Sequence, residues 1–154
     1  MRLSTQTHNA VKVLVHCARA SGKTVTVPEI SAACDITEFN VFKLLPLLAK
    51  GGLLETIRGR GGGVVLKLPA DQISIGAVVR ATEAVYRKPA KETVADGSAD
   101  PNDYSDMVNG AFSAFVEFLD QKTIGDLAEV DGANMQGSPP NEASSGTQKT
   151  ASRD

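Results

Sequence analysis

The sequence predicts a mainly α-helical fold that carries one small β-hairpin. Three helix-like segments occupy the first 50 residues, and a short interruption at residues 33–36 separates the second from the third. Directly afterwards, residues 53–68 form two apolar runs joined by a glycine-rich loop that holds Arg58 and Arg60. Helix, helix, turn, helix and basic hairpin is the order of a winged helix-turn-helix, in which one helix enters the DNA major groove and the wing lies beside it.

Periodicity and stop signals delimit the first helix. We expect it at about residues 5–21, because Ala10, Leu14 and Cys17 recur at helical spacing and Gly22 follows. Residues 23–26 are predicted to form a short strand.

Capping residues delimit the next two helices. Thr26, an early-turn proline and Glu29 form a helix-start signature, so the second helix is expected at about residues 27–34. Thr37 is placed to cap the third helix, expected at about residues 38–50.

The second half predicts three further helices. We expect them at about residues 75–85, 104–121 and 123–130, with a polar loop at residues 87–103. The middle one carries an apolar stripe that must pack on its own domain or on a partner helix. We assign that stripe to dimerisation: Tyr104, Met107, Val108, Ala111, Phe112, Phe115, Phe118 and Leu119.

Composition divides the chain into three parts. We expect a DNA-binding domain at residues 1–69, a linker helix, loop and dimerisation helix at 70–130, and a disordered tail at 131–154, where periodicity ceases. Residues 1–69 hold nine Lys and Arg against four acids (+5), and residues 70–154 hold seven against fourteen (−7), which together give the net charge of −2. A basic front half suits a protein whose N-terminal face meets phosphate.

The sequence predicts a cytoplasmic protein. No apolar run approaches the length that crosses a membrane, and the polar N-terminus does not resemble a signal peptide. Two cysteines make no disulfide framework.

The third helix offers the residues best placed to read DNA. Its first turns present Thr37, Glu38, Asn40 and Lys43, which are polar groups able to bond base edges or phosphate. Phe39 is a candidate for contact with a thymine methyl, whereas packing is the favoured role for Phe42. An amphipathic helix would also carry polar residues here for solvation alone.

The loop of the hairpin is the second candidate contact. Arg58, Arg60 and Gly61 suit a close approach to DNA, because glycine permits positive φ and arginine suits a narrow minor groove. The alternative is a hairpin turn whose arginines are simply solvated. A nucleotide-binding loop is disfavoured, since the Gly-Lys-Ser/Thr ending is missing.

At residues 1–7, 30–37, 50–63 and 73–83 the chain resembles the Rrf family of bacterial transcription regulators. The resemblance covers roughly residues 1–130. It implies a homodimer, formed largely by the long C-terminal helix, that binds a pseudo-palindromic double-stranded DNA operator. Sensing members of the family hold an iron–sulfur cluster through three cysteines in the loop before that helix.

The corresponding segment of this chain, residues 86–104, contains no cysteine. Carboxylates are poor substitutes for thiolates on a cluster, and a lone His8 makes no site, so we expect no cofactor and no metal. Cys17 and Cys34 are expected in the core, with a redox switch at Cys34 or Cys17 as the sharper alternative.

The function favoured by the sequence is therefore a homodimeric transcriptional repressor without a cluster. Two alternatives stay open: an iron–sulfur- or thiol-based sensor repressor, and a winged helix that binds proteins. An enzyme is disfavoured, because no catalytic arrangement of Ser, His, Cys or paired carboxylates stands out.

Overall fold

The computed structural model describes residues 2–83 and 105–135, and it contains six helices and one antiparallel hairpin within them. The elements follow one another as α1 (Thr5–Arg19), α2 (Val27–Cys34), α3 (Glu38–Lys50), β1 (Leu54–Ile57), β2 (Gly63–Leu66), a short 3₁₀ turn (Ala70–Gln72), α4 (Ile75–Thr82), α5 (Ser105–Leu119) and α6 (Ile124–Met135). The predicted order of helix, helix, turn, helix and hairpin is confirmed.

Side-chain caps set the starts of the helices. The Ser4 hydroxyl accepts the Thr7 amide of α1 at 3.2 Å, and Thr26 forms a capping box with Glu29. In that box the Thr26 amide donates to the Glu29 carboxylate at 2.7 Å. The capping box thereby pairs two backbone amides at the start of α2, those of Thr26 and Glu29. The α1 helix ends earlier than predicted, because Ser21 adopts a φ of 51° and leaves the helical region.

The turn between α2 and α3 is fixed by one strained residue and one buried residue. Asp35 has a φ of 54°, a left-handed conformation that reverses the chain after α2. Ile36 follows and is buried, and the Ser31 hydroxyl donates to its carbonyl at 2.7 Å. These contacts hold α3 at a set angle to α2.

The hairpin is attached to the helical body by a third segment. Leu54 pairs with Leu66 and Ile57 with Gly63 across β1 and β2. Val25 exchanges two backbone hydrogen bonds with Val64, at 2.9 and 2.8 Å. The strand predicted at residues 23–26 is therefore reduced to this single bridged pair, because only one residue of the segment reaches β2.

The C-terminal helices pack back onto the N-terminal ones. A backbone bridge joins Ser74 to Thr123, and α6 lies along α1. Buried side chains from both halves, such as Leu14, Leu48, Val78 and Ile124, belong to one aliphatic cluster. The position of α3 and of the hairpin is thus set by the whole body.

Two predicted boundaries in this half need correction. The α4 helix ends at Thr82, where the Glu83 backbone turns extended, and not near residue 85. The α6 helix continues to Met135, so regular structure extends past residue 131, where we predicted a disordered tail. Helical hydrogen bonds formed on a docked helix override the weak local preference of this segment. Residues 84–104, including Tyr104, and residues 136–154 lie outside the described part of the chain.

Candidate nucleic-acid interface

The α3 helix has one face in the core and the opposite face in solvent. Val41, Leu44 and Leu48 are buried with 2% exposure or less. All five residues assigned to DNA contact on this helix and its cap are exposed: Thr37, Glu38, Phe39, Asn40 and Lys43. Spacing of 3.6 residues per turn produces this division. The helix is anchored on its aliphatic side and presents the predicted contact residues outward.

Thr37 has a structural role beside any contact it makes. Its hydroxyl accepts the amide of Asn40 at 3.4 Å and caps the start of α3. Glu38 lies in the first turn, where a carboxylate is favoured by the positive end of the helix dipole. Both side chains therefore also help to define where α3 begins.

Phe42 does not pack in the core, and this part of the sequence interpretation was wrong. Its side chain is 59% exposed, and that of Phe39 is 66% exposed. The buried positions of α3 are filled by aliphatic residues, and Phe42 lies at least about 100° around the helix axis from each of them. The ammonium of Lys43 lies 4.2 Å from the centroid of the Phe39 ring. The outer face of α3 is therefore aromatic and cationic together.

The tip of the hairpin projects two arginines. Arg58 and Arg60 are exposed, and Gly61 has a φ of 80°, which a side chain would strain. At the base of the wing, a Cβ on Gly63 would lie 2.3 Å from the carbonyl oxygen of Val25. Glycine at that position lets the base of the wing lie directly against the body.

The apolar stripe of α5 is divided between two faces. Val108, Phe112, Phe115 and Leu119 are half-buried, so these predicted dimer residues face the protein's own body at least in part. Val116, which the sequence interpretation omitted, is 2% exposed and enters the core. Met107 and Phe118 are 73% and 68% exposed. A second face of α5 is therefore left exposed by the residues that the structure describes.

The uncovered face follows a regular spacing. Its exposed members are Met107, Ala111, Ala114 and Phe118. Their steps of four, three and four residues are those of the a and d positions of a coiled coil. Ala114 was missed from sequence, because its neighbours Phe112 and Phe115 dominated the apolar pattern.

The two cysteines are buried in the helical body. Burial raises the pKa of the Cys17 thiol to about 12, and the neighbouring Cys34 adds to the rise. Burial also raises the pKa of Cys34, although Lys12 opposes this. Both thiols therefore stay protonated near neutral pH, whereas cluster ligation and rapid oxidation need thiolate. Nowhere in the described part of the chain do three or more His, Cys, Asp or Glu side chains gather as metal ligands would.

The fold and the exposed basic surface define a winged helix-turn-helix DNA-binding protein. The chain belongs to the Rrf2 family, since the profile described as "Iron-dependent Transcriptional regulator" matches residues 3–130. It is thus a transcription regulator and not an enzyme.

Individual relatives agree with this assignment. The chain is 40% identical over 135 residues to Protein aau3 of Rhizobium meliloti, covering 84% of this chain and 86% of that protein. It is 30% identical over 138 residues to the HTH-type transcriptional regulator NsrR of Bacillus subtilis, covering 84% of this chain and 91% of that one.

Solved structures share the fold. The structure described as T. potens IscR superposes with a TM-score of 0.68 at 22% identity, covering 90% of this chain and 93% of that one. CymR of B. subtilis, described as the global cysteine regulator, superposes with a TM-score of 0.62 at 24% identity, covering 84% of this chain and 98% of that one. None of the helices in the described ranges is long and apolar enough to cross a membrane.

Proposed function

We propose that the protein is a homodimeric transcriptional repressor that binds a pseudo-palindromic operator through α3 and the wing. The observation that carries the proposal is the joint exposure of the outer face of α3 and of the wing arginines, on helix and hairpin that pack against each other. An anchored helix reads base edges in the major groove, while arginines on a glycine-rich tip contact the backbone or the minor groove.

The exposed ridge of α5 supports the dimer. Met107 and Phe118 are large, apolar and solvent-exposed at heptad spacing, with alanines between them that let a second helix approach closely. A twofold axis along this ridge would cover both copies of the face at once. Two α3 helices would then meet two half-sites, which is the geometry of a palindromic operator.

The donor chemistry of the chain does not suit an iron–sulfur cluster, although the family profile is described as iron-dependent. A cluster takes several thiolates, and the sequence has two cysteines, both of which lie in the helical body as protonated thiols. We therefore propose that DNA binding does not require a cluster. Purified protein treated anaerobically with iron and sulfide should show no absorption near 400 nm and should bind DNA with unchanged affinity.

Titration of DNA binding with salt tests the proposed interface. A duplex selected from a random library should bind with a steep salt dependence, since each neutralised phosphate adds about 0.9 to the slope of log K against log salt. Arg58→Ala and Arg60→Ala should each reduce that slope by about one unit.

Lys122→Ala, which removes a cation from the turn after α5, is the matched control and should leave the slope unchanged. Binding that does not depend on salt, or wing variants that match wild type, would contradict the proposed interface. A winged helix used only for protein contacts would select no duplex.

A further inference from the structure

We infer that Phe39 and Phe42 act as an apolar base-reading pair that recognises the C5-methyl groups of thymines. The inference rests on the proposed DNA binding and adds the chemistry by which α3 selects its sequence. Two phenylalanines three residues apart share the outer side of α3, and more than half of each side chain is exposed.

Within the described part of the chain, both rings stay mostly in solvent, and Lys43 lies over that of Phe39. A phenylalanine ring removes 150–250 Å² from water when it is buried, so leaving two exposed forgoes a large apolar contribution to folding. The core positions of the same helix hold Val41, Leu44 and Leu48, which show that α3 docks on the body without them. The rings therefore fit a role in contact with a partner better than a role in stability.

The charges around the rings identify the partner's chemistry. Lys43 sits over the Phe39 ring at 4.2 Å, and Lys50 is exposed two turns after Phe42. The wing adds Arg58 and Arg60. Glu38 is the one acid of α3, and it lies at the start of the helix next to Phe39. The cations outnumber it, so this surface has apolar rings and a net positive charge, which suits a polyanion that carries apolar groups between its charges.

Duplex DNA matches that description through thymine. In the major groove the thymine methyl is the apolar group, and it is flanked by phosphates on both strands. RNA fits less well, because its deep, narrow major groove excludes a helix and uracil lacks the methyl. The stacking of Lys43 on Phe39 also restrains the ring and leaves ammonium donors free for guanine acceptors or phosphate.

Replacing thymine by deoxyuridine tests the inference, since this change removes only the methyl group. The full chain is first used to select a binding duplex from a random library, and each thymine inside the protected region is then replaced in turn. Wild type should lose about fourfold in affinity per contacted methyl, the value expected for one buried apolar carbon. Deoxyuridine outside the protected region should have no effect.

Variants then assign the effect to the two rings. Each alanine variant, Phe39→Ala or Phe42→Ala, should lose the effect at the thymine that its ring contacts, so that the thymine duplex and the duplex with deoxyuridine at that position bind with nearly equal affinity, at a ratio close to one. Phe39→Leu should retain part of the preference for the thymine duplex over the deoxyuridine duplex, because leucine keeps an apolar contact. Leu127→Ala, which truncates an exposed apolar side chain on α6, is the matched control and should keep the whole ratio.

Three outcomes would overturn the inference. Equal binding of thymine and deoxyuridine duplexes by wild type would show that no methyl is read, while leaving the proposed DNA binding intact. An unchanged ratio in both alanine variants would assign the methyl contact to other residues. Selection of no duplex at all would remove the proposed function and the inference together. Because both rings are exposed, the alanine variants should melt like wild type, which separates lost contact from lost folding.

Discussion

The helices α3 and α5 are built alike on their inner faces and differ on their outer ones. Each docks through aliphatic side chains, with Leu48 of α3 and Val116 of α5 almost completely buried. Each also presents exposed phenylalanine on the opposite side, Phe39 and Phe42 on α3 and Phe118 on α5. The apolar pattern alone would assign the two faces to the same kind of partner.

Charge separates them. The α3 helix carries Lys43 and Lys50 against one acid, Glu38, and so has a net charge of +1, whereas α5 contains no lysine or arginine and carries Asp106 and Glu117. A polyanion is attracted to the first face and repelled by the second. The exposed apolar residues are alike on the two helices, so the proposed partners, DNA for α3 and a second copy for α5, differ because of the charges beside those residues.

The largest expected effect comes from placing a charge on the α5 ridge. Phe118→Asp should convert the proposed dimer to a monomer, because pairing would bury the carboxylate against apolar side chains. Operator affinity should then fall by about a hundredfold or more, since one half-site contact is lost. Sedimentation and anisotropy would measure both. Ser113→Asp, an exposed position on the same helix off the ridge, is the control, and a Phe118→Asp dimer would disprove the proposed interface.

A smaller effect is expected from removing the Lys43 cation of α3. Lys43→Ala should weaken DNA binding by about tenfold, the contribution of one charged hydrogen bond. It should also lower the salt slope by about one if the contact is to phosphate. The oligomeric state should not change, because Lys43 is exposed on a different helix from the α5 ridge. A change in sedimentation with intact DNA binding would reverse the assignment of the two faces.

Removing the Thr37 cap of α3 should have a smaller effect than either of these changes, and the effect should be on stability. Thr37→Ala should reduce the free energy of unfolding by about 1 kcal/mol, since it removes the acceptor for the Asn40 amide. Thr37→Ser should retain most of that stability. Chemical denaturation would compare the two. If Thr37→Ala changes DNA affinity but not stability, its hydroxyl contacts DNA and contributes little as a cap.

The smallest effect concerns how α5 is held on the body. The Arg80 guanidinium donates to Asp120 and lowers the pKa of that carboxyl below its usual value, and the Ser74 hydroxyl at 2.6 Å adds to this. A lowered folded-state pKa contributes stability above the unfolded value near 4, and the contribution is lost as pH falls through the folded pKa. Asp120→Asn should therefore destabilise the protein slightly at pH 7 and less at pH 2. Thermal melts at both pH values would measure this difference, and an equal loss at both would contradict the linkage.

The sequence predicted the DNA-binding half well because local chemistry sets its boundaries. Thr26 with Glu29, and Thr37 with the amide of Asn40, are caps formed within three residues. The wing follows from two short apolar runs and a glycine-rich loop, and its strands lie inside the predicted segment. Interactions this close in sequence need no knowledge of the rest of the fold.

The sequence by itself therefore determined the order of the elements, the starts of α2 and α3, and the residue types on the exposed face of α3. Only the tertiary structure decided which apolar side chains the body had room to bury. It left Phe42 in solvent, drew Val116 into the core, and divided the α5 stripe so that Met107 and Phe118 stayed exposed. The physical reason is that periodicity shows a residue is apolar and on a given face, whereas burial depends on the volume left by helices distant in sequence.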